Sequence, residues 1–247
     1  MTEKKYTPMM QHYLKMKEEN PDAILFYRLG DFYEMFFDDA KLVSQELDLV
    51  LTGRSAGVEE KVPMCGVPFH AANSYISRLV KKGYKVAICE QLEDPSNAKG
   101  LVDRGIVKII TPGTYMDSTM DAKTTNYMAS CDISSFEITV VYCELSTGEL
   151  KYQTLQRSLV ALQKALLEQN VSELVCPMAM DKKWMSALEE METILISKHK
   201  KSSVDSQDLP LLNGIESESL KEAFALLMAY LKDTQKQHID HFLPIES

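Results

Sequence analysis

Apolar residues in the first half follow the spacings of short strands and amphipathic helices. Thr7-Pro8 is a typical helix start, and residues 23–27 form a run of buried-strand character. A helix is predicted to begin near His70, because Ala72, Ile76, Leu79 and Val80 follow at i, i+4, i+7 and i+8. The other elements predicted here are a helix over residues 38–49, extended segments over 50–54, 85–92 and 105–110, and a polar loop over 55–63.

The pattern breaks at Thr111-Pro112-Gly113-Thr114 and stays polar through residue 125, which predicts a domain boundary. Beyond it lie three extended segments followed by alternating helices and strands. This order implies a mixed sheet covered by helices. The segments are strands over residues 128–133, 136–145, 150–155, 174–176 and 193–196, helices around Leu159–Leu166 and over 181–191 and 216–232, and a polar loop over 197–213.

Composition agrees with two α/β domains. The 247 residues are 45% hydrophobic and 26% charged, as in a soluble globular protein. No apolar run approaches the roughly 18 residues that cross a bilayer, and the first residues do not resemble a signal peptide. The five cysteines show no metal-ligand or redox spacing. We therefore expect buried thiols and a cytoplasmic location.

Charge is distributed unevenly between the two halves. Residues 1–110 contain 15 basic and 16 acidic residues, a balance of −1, so the rest of the chain has −8 of the total −9. A polyanionic partner would therefore meet the first half, and the second half is better suited to protein contacts.

Four segments in the first half resemble the MutS family of DNA mismatch-recognition proteins in sequence, order and spacing. They are FYRLGDFYEMFFDDA (residues 26–40), PMCGVPFHA (63–71), VAICEQ (86–91) and IITPGT (109–114). In the second half the resemblance is weaker and depends on element order and on YLKDTQ (230–235), which is similar to the family's entry into its lever region.

The resemblance implies a domain plan. It assigns residues 1–113 to a mixed-sheet α/β mismatch-binding domain, 114–126 to a linker, 127–234 to a ribonuclease-H-like α/β connector domain, and 235–247 to the start of the lever region. It implies mismatched double-stranded DNA and MutL as partners, with dimerisation in a longer parent protein. The family's ATP and magnesium sites are expected outside this chain, which has no Gly-x-x-x-x-Gly-Lys-Ser/Thr loop. The chain alone is therefore expected to have no enzymatic activity and no cofactor or metal.

The Phe-x-Glu element of the family corresponds to Phe32 and Glu34, which the resemblance implies read the mismatch. In an extended strand both side chains point to one face. An aromatic wedge must unstack a base step, at a cost of a few kcal/mol. That cost is lower at a mispaired base, whose stacking is already weakened. Alone, Phe-x-Glu is a weak signal that favours a core phenylalanine, because an aromatic and an acidic residue two positions apart are common; the surrounding family segment reverses that preference in favour of the functional interpretation. Glu34 would accept a hydrogen bond from a base edge or take up a proton itself.

Further residues are candidates for the DNA backbone. They are Arg54 and Lys61 on the polar loop, and Pro68, His70 and Asn73 around a helix start that favours phosphate. Each has an ordinary capping, turn or surface role as its alternative. Arg28 could reach a phosphate or pair with Asp31 or Asp38.

Two other functions remain open. Asp132 and Glu144 lie on neighbouring predicted strands, and strand carboxylates bind two metals in ribonuclease-H-like nucleases. A metal-dependent nuclease is therefore the alternative function. The third possibility is a protein-interaction scaffold without DNA binding.

Overall fold

A computed structural model describes residues 6–93, 102–116, 125–236 and 241–247. The predicted linker, residues 114–126, therefore lies largely outside the described residues. The chain divides into two compact units, Met1–Thr111 and Pro112–Ser247, called unit 1 and unit 2 below. The assignment of functional domains to these units stays a prediction.

Unit 1 alternates helices and strands. Its helices are α1 (Pro8–Glu19), α2 (Phe37–Leu47) and α3 (Ala72–Lys81), and its strands are β1 (Ala23–Leu29), β2 (Phe32–Phe36), β3 (Thr52–Arg54), β4 (Val62–Pro68), β5 (Lys85–Gln91) and β6 (Arg104–Ile110). In the described residues these strands form one sheet in the order β3-β4-β2-β1-β5-β6. β1 and β5 are parallel and every other neighbouring pair is antiparallel, so the sheet is mixed.

Helices pack on both faces of this sheet. Tyr13 of α1 lies against Tyr27 and Phe36 in a cluster on one face. On the other face, the Cys65 thiol of β4 contacts the Ala40 carbonyl of α2. Alternate residues of β2 are therefore buried against different helices. This arrangement places β2 inside the sheet, with its first residue at the end of a hairpin.

Unit 2 begins with strands β7 (Tyr127–Ile133), β8 (Glu137–Glu144) and β9 (Glu149–Gln156). These are followed by α4 (Leu159–Glu168), β10 (Val171–Pro177), α5 (Lys182–Glu189), β11 (Leu195–His199) and α6 (Glu218–Gln235). The described strands form a sheet in the order β11-β10-β7-β8-β9. The first three strands are antiparallel, and β7, β10 and β11 are parallel.

The faces of the second sheet have separate cores. Met128 and Val141 pack with Phe224 and Leu227 of α6 on one face. Val140 packs with Leu162 of α4 on the other. The predicted α/β class, with a mixed sheet in each half, is confirmed.

Several predicted boundaries differ from the structure. β11 covers Leu195–His199 instead of residues 193–196, and a 3₁₀ turn, Leu209–Leu212, lies in the predicted polar loop. Polar Ser197 is part of β11 because its hydroxyl donates to buried Glu173 on the paired strand, which hydrophobicity does not reveal. Residues 241–247 belong to unit 2, and Phe242 and Ile245 are buried in its core on the α6 face of the sheet. Whether residues 235–247 also begin a lever region stays a prediction.

Candidate nucleic-acid interface

A tight hairpin places Phe32 at the edge of unit 1. Gly30 and Asp31 join β1 to β2, and Leu29 pairs with Phe32 as the last pair before the turn. Gly30 has φ +57°, a left-handed conformation that glycine adopts without a Cβ penalty. The Phe69 N–H donates to the Asp31 carbonyl at 2.9 Å, which ties the turn to the end of β4.

Side chains along β2 alternate between the two faces. Tyr33 and Met35 are buried on the face opposite Phe32, Glu34 and Phe36. Phe36 is only 1% exposed because Tyr13 of α1 packs edge-on against it, with ring centroids 4.9 Å apart. Phe32, on the same face, is 45% exposed. The strand conformation assumed for the Phe-x-Glu element is therefore present, with an exposed ring at its start.

Glu34 is held by an ion pair. Arg54 Nη1 donates to Glu34 Oε2, and the two residues lie on strands separated by β4. The Glu34 side chain is 16% exposed and that of Arg54 36% exposed. Arg54, predicted as a phosphate contact, thus binds Glu34 in the free protein.

The other predicted backbone contacts lie at two places. Pro68 pairs directly with Phe32 across the sheet, while His70 and Asn73 are exposed in the turn and helix start that follow. Lys61 is exposed just before β4. Seven residue steps along β4 separate Lys61 from Pro68, a distance of roughly 23 Å. The structure therefore brings Pro68, His70 and Asn73 near Phe32 but not Lys61.

Sequence reasoning missed the surroundings of Arg28. Its guanidinium carbon lies 3.8 Å from the centroid of the Phe69 ring, and Nη1 lies 3.7 Å from a Glu90 oxygen. The suggested pairs with Asp31 or Asp38 were wrong, because Arg28 and Glu90 lie on the same face of adjacent parallel strands, where they meet directly. Phe69 is 44% exposed, a second exposed ring beside the hairpin. The only sequence signal for it was an aromatic residue directly after Pro68.

Tyr33 joins this group from the same face. Its hydroxyl donates to Glu90, and burial together with this carboxylate raises the pKa of Tyr33 well above its ordinary value. Tyr33 is therefore a packing and hydrogen-bonding residue.

Comparison of the sequence with known proteins identifies the family of this chain. A sequence profile described as MutS domain I matches residues 7–119. The DNA mismatch repair protein MutS of Clostridium tetani is 45% identical over 96% of this chain, that of Bacillus licheniformis 44% over 98%, and that of Bacillus subtilis 43% over 98%. The chain belongs to the MutS family. It spans 28% of the length of each of these relatives.

In this MutS-family chain the two carboxylates of the nuclease hypothesis lie apart. Asp132 shares the α6 face of β7 with Met128, whereas Glu144 of β8 lies opposite Tyr127 on the other face. Five residues along β7 separate the two positions, roughly 17 Å. Glu144 accepts from Ser146 and Thr147, and Asp132 accepts from Ser219 and Lys201. The alternative nuclease function requires these acids in one metal site, and the structure does not bring them together.

Metal-ligand groups, membrane-spanning helices or reactive thiols would indicate other functions in the described residues of this MutS-family chain. These residues contain no group of three or more His, Cys, Asp or Glu side chains placed to hold a metal ion. None of the described helices is both long and apolar enough to cross a membrane. All five cysteines are free and buried, and burial raises the pKa of Cys65 to about 11 and that of Cys89 to about 12. The thiols are therefore packing groups.

Proposed function

We propose that unit 1 binds mismatched or unpaired bases in duplex DNA, with Phe32 as the wedge and Glu34 as the base-contacting group, in DNA mismatch repair. The observation that carries this proposal is the exposed Phe32 ring at a hairpin end in a chain of the MutS family. Phe32 lies beside a second exposed ring, Phe69, and the two rings, 45% and 44% exposed, offer an apolar surface on which a base can stack.

The energetics of the wedge explain how it selects its target. Unstacking a base step costs a few kcal/mol. Stacking a base on the Phe32 ring returns roughly 1–3 kcal/mol and works with any base. At a mispaired step the cost is smaller, because part of the stacking and pairing is already lost. The wedge therefore discriminates through the deformability of DNA instead of base identity.

The two exposed candidates for DNA-backbone contacts nearest to Phe32 lie where phosphates beside the wedge would pass. His70 and Asn73 are exposed directly after Pro68, which pairs with Phe32. A ring inserted by Phe32 would bring the flanking phosphates toward this turn. Contacts to phosphate fix the register of a protein on DNA without reading sequence.

Unit 2 is proposed to act as the connector, which relays mismatch binding to the ATPase of a longer protein and contacts MutL. The sequence resemblance carries this part of the proposal, together with the excess of acidic residues in the second half. Dimerisation and ATP hydrolysis belong to the same proposal about the longer protein. The chain spans 28% of its relatives, so these activities are tested in the longer protein.

Phe32→Ala tests the wedge, with Phe36→Ala as the matched control on the same strand and face. Phe32→Ala is expected to abolish the preference for mismatched over matched duplex and to change stability by less than about 1 kcal/mol. Phe36→Ala removes a buried ring and is expected to destabilise the protein by roughly 3–5 kcal/mol. Fluorescence titration of both duplexes at low salt and urea unfolding measure the two effects.

Two results would contradict the wedge. A loss of stability in Phe32→Ala equal to that in Phe36→Ala would make Phe32 a core residue. An unchanged mismatch preference in a folded Phe32→Ala protein would place recognition elsewhere.

A further inference from the structure

The ion pair between Arg54 and Glu34 spans three strands of the sheet. Arg54 ends the edge strand β3, β4 lies between, and Glu34 is in the middle of β2. Arg54 pairs with Val62 and Glu34 with Gly66, and these two β4 residues share a face. Arg54 therefore extends along that face to reach Glu34.

Two residues beside the Arg54 side chain, Gly66 and Phe36, allow it to reach Glu34. Gly66 lies opposite Glu34, and a Cβ at Gly66 would lie 3.2 Å from the Tyr33 carbonyl oxygen and 3.5 Å from Glu34 Cγ. Glycine therefore leaves room beside the carboxylate that a side chain would take. The guanidinium carbon of Arg54 also lies 5.9 Å from the Phe36 ring centroid, within the distance of a cation–π contact.

The pair has consequences for a DNA-facing carboxylate. An unpaired carboxylate beside the phosphate backbone is repelled, and a guanidinium at the same place offsets that charge. Arg54 engages Oε2, and a carboxylate has two acceptor oxygens. Because Arg54 occupies Oε2, the other oxygen of Glu34, Oε1, is left to accept a hydrogen bond from a donor on a base edge. The same contact limits the rotamers of Glu34.

We infer that Arg54 is a positioning residue for mismatch discrimination, which acts through Glu34 and not through a phosphate. This inference rests on the proposed function and deepens it. It also assigns Glu34 the role of hydrogen-bond acceptor, since a guanidinium donates only. Arg54 thereby replaces the solvation that Glu34 would lose against DNA.

A double-mutant cycle separates this role from a phosphate contact. The wild type, Arg54→Ala, Glu34→Ala and the double variant are titrated at low salt with duplexes that differ in one mismatched pair. Arg54→Ala is expected to lower the ratio of mismatched to matched affinity roughly fivefold to tenfold, the lower end of the value of one good base contact, because Arg54 acts through Glu34. In the Glu34→Ala background, Arg54→Ala is expected to leave that ratio unchanged.

Lys61→Ala is the matched control, because it removes the same charge from an exposed side chain before β4. Lys61→Ala is expected to lower the affinities for mismatched and matched duplex by the same factor, both in the wild-type background and in the Glu34→Ala background. If Arg54→Ala also lowers both duplex affinities by the same factor in both backgrounds, Arg54 is a phosphate contact and the inference is overturned. A higher mismatch preference in Arg54→Ala would also overturn it, because Arg54 would then compete with the base for Glu34.

Arg54→Lys covers the case in which Arg54→Ala does not fold. Lysine keeps the charge but lacks the planar fork that fixes Oε2. The matched-duplex affinity is expected to stay within about twofold while the mismatch preference falls, since charge sets the former and orientation the latter. An unchanged preference in Arg54→Lys would contradict positioning. A wild-type protein that binds both duplexes equally would contradict the proposed function itself.

Discussion

Phe32 and Phe36 place the same side chain in opposite environments on one strand. Both point to the face covered by α1, but Tyr13 packs on Phe36 and Phe32 lies at the hairpin end. The difference is positional, because burial depends on which neighbours cover a residue. One of these rings contributes to the core, and the other is available to a ligand.

His12 couples the stability of unit 1 to pH. Its ring nitrogen Nδ1 lies 2.9 Å from the Tyr27 hydroxyl, and burial, followed by the positive charge of Arg104, lowers the pKa of His12 below its ordinary value of 6.5. The unfolded chain therefore binds a proton more readily than the native protein. Stability from His12 is present above pH 6.5 and is lost as pH falls toward the native pKa.

His12→Gln is expected to reduce this pH dependence, because glutamine does not titrate. Urea unfolding at pH 7.5 and pH 5.5 measures the change in free energy of unfolding for both proteins. The decrease between the two pH values is expected to be smaller in the variant. An equal decrease in both proteins would show that His12 does not contribute.

At the scale of elements, Asp39 holds α2 against α1 and β1. Its carboxylate accepts from Lys17 Nζ of α1 at 2.9 Å, from the Leu25 N–H of β1 at 2.9 Å and from the Tyr13 hydroxyl at 3.4 Å. The residue itself is buried, so these donors replace water. Three elements of unit 1 meet at this one carboxylate.

Asp39→Asn is expected to destabilise the protein by roughly 2–3 kcal/mol, less than the ~3–5 kcal/mol of a fully buried pair because Lys17 is partly exposed. Asp38→Asn is the control, since the Asp38 side chain is 95% exposed beside it. Asp38→Asn should change stability by less than about 0.5 kcal/mol. Urea unfolding compares the two variants, and equal effects would refute a special role for Asp39.

At the scale of the whole molecule, net charge limits binding to DNA. Residues 1–110 have a balance of −1, so phosphate contacts must be few and local. The cost of inserting the wedge is a few kcal/mol, and few contacts in this chain offset it. Mismatched duplex should therefore bind weakly and only at low salt.

A salt series tests this expectation. The slope of log affinity against log salt is expected to correspond to about two to four phosphates, at roughly −0.9 for each. The chain should neither hydrolyse ATP nor cut DNA, because it has no phosphate-binding loop and Asp132 and Glu144 lie on opposite faces of their sheet. Tight binding at physiological salt would reveal a second DNA surface. Cutting that is lost on Asp132→Asn would support the nuclease instead.

Periodicity determined most elements of this protein. Helix α3 has the stripe of Ala72, Ile76, Leu79 and Val80 buried as predicted, because one helical face must pack on a sheet. The α/β class followed from the order of such local patterns. The site candidates Phe32 and Glu34 came from the resemblance of a segment, since Phe-x-Glu has no distinguishing periodicity of its own.

Tertiary structure alone decided which side chains meet. Arg54 and Glu34 are 20 positions apart in sequence and on strands separated by β4, so neither propensity nor spacing could pair them. Arg28 likewise pairs with Glu90 across a parallel strand pair, 62 positions away. Asp132 and Glu144 face opposite sides because strand register sets side-chain direction. Local patterns specify elements, because their causes are local; register and sheet order specify the site, because they arise only when distant strands pair.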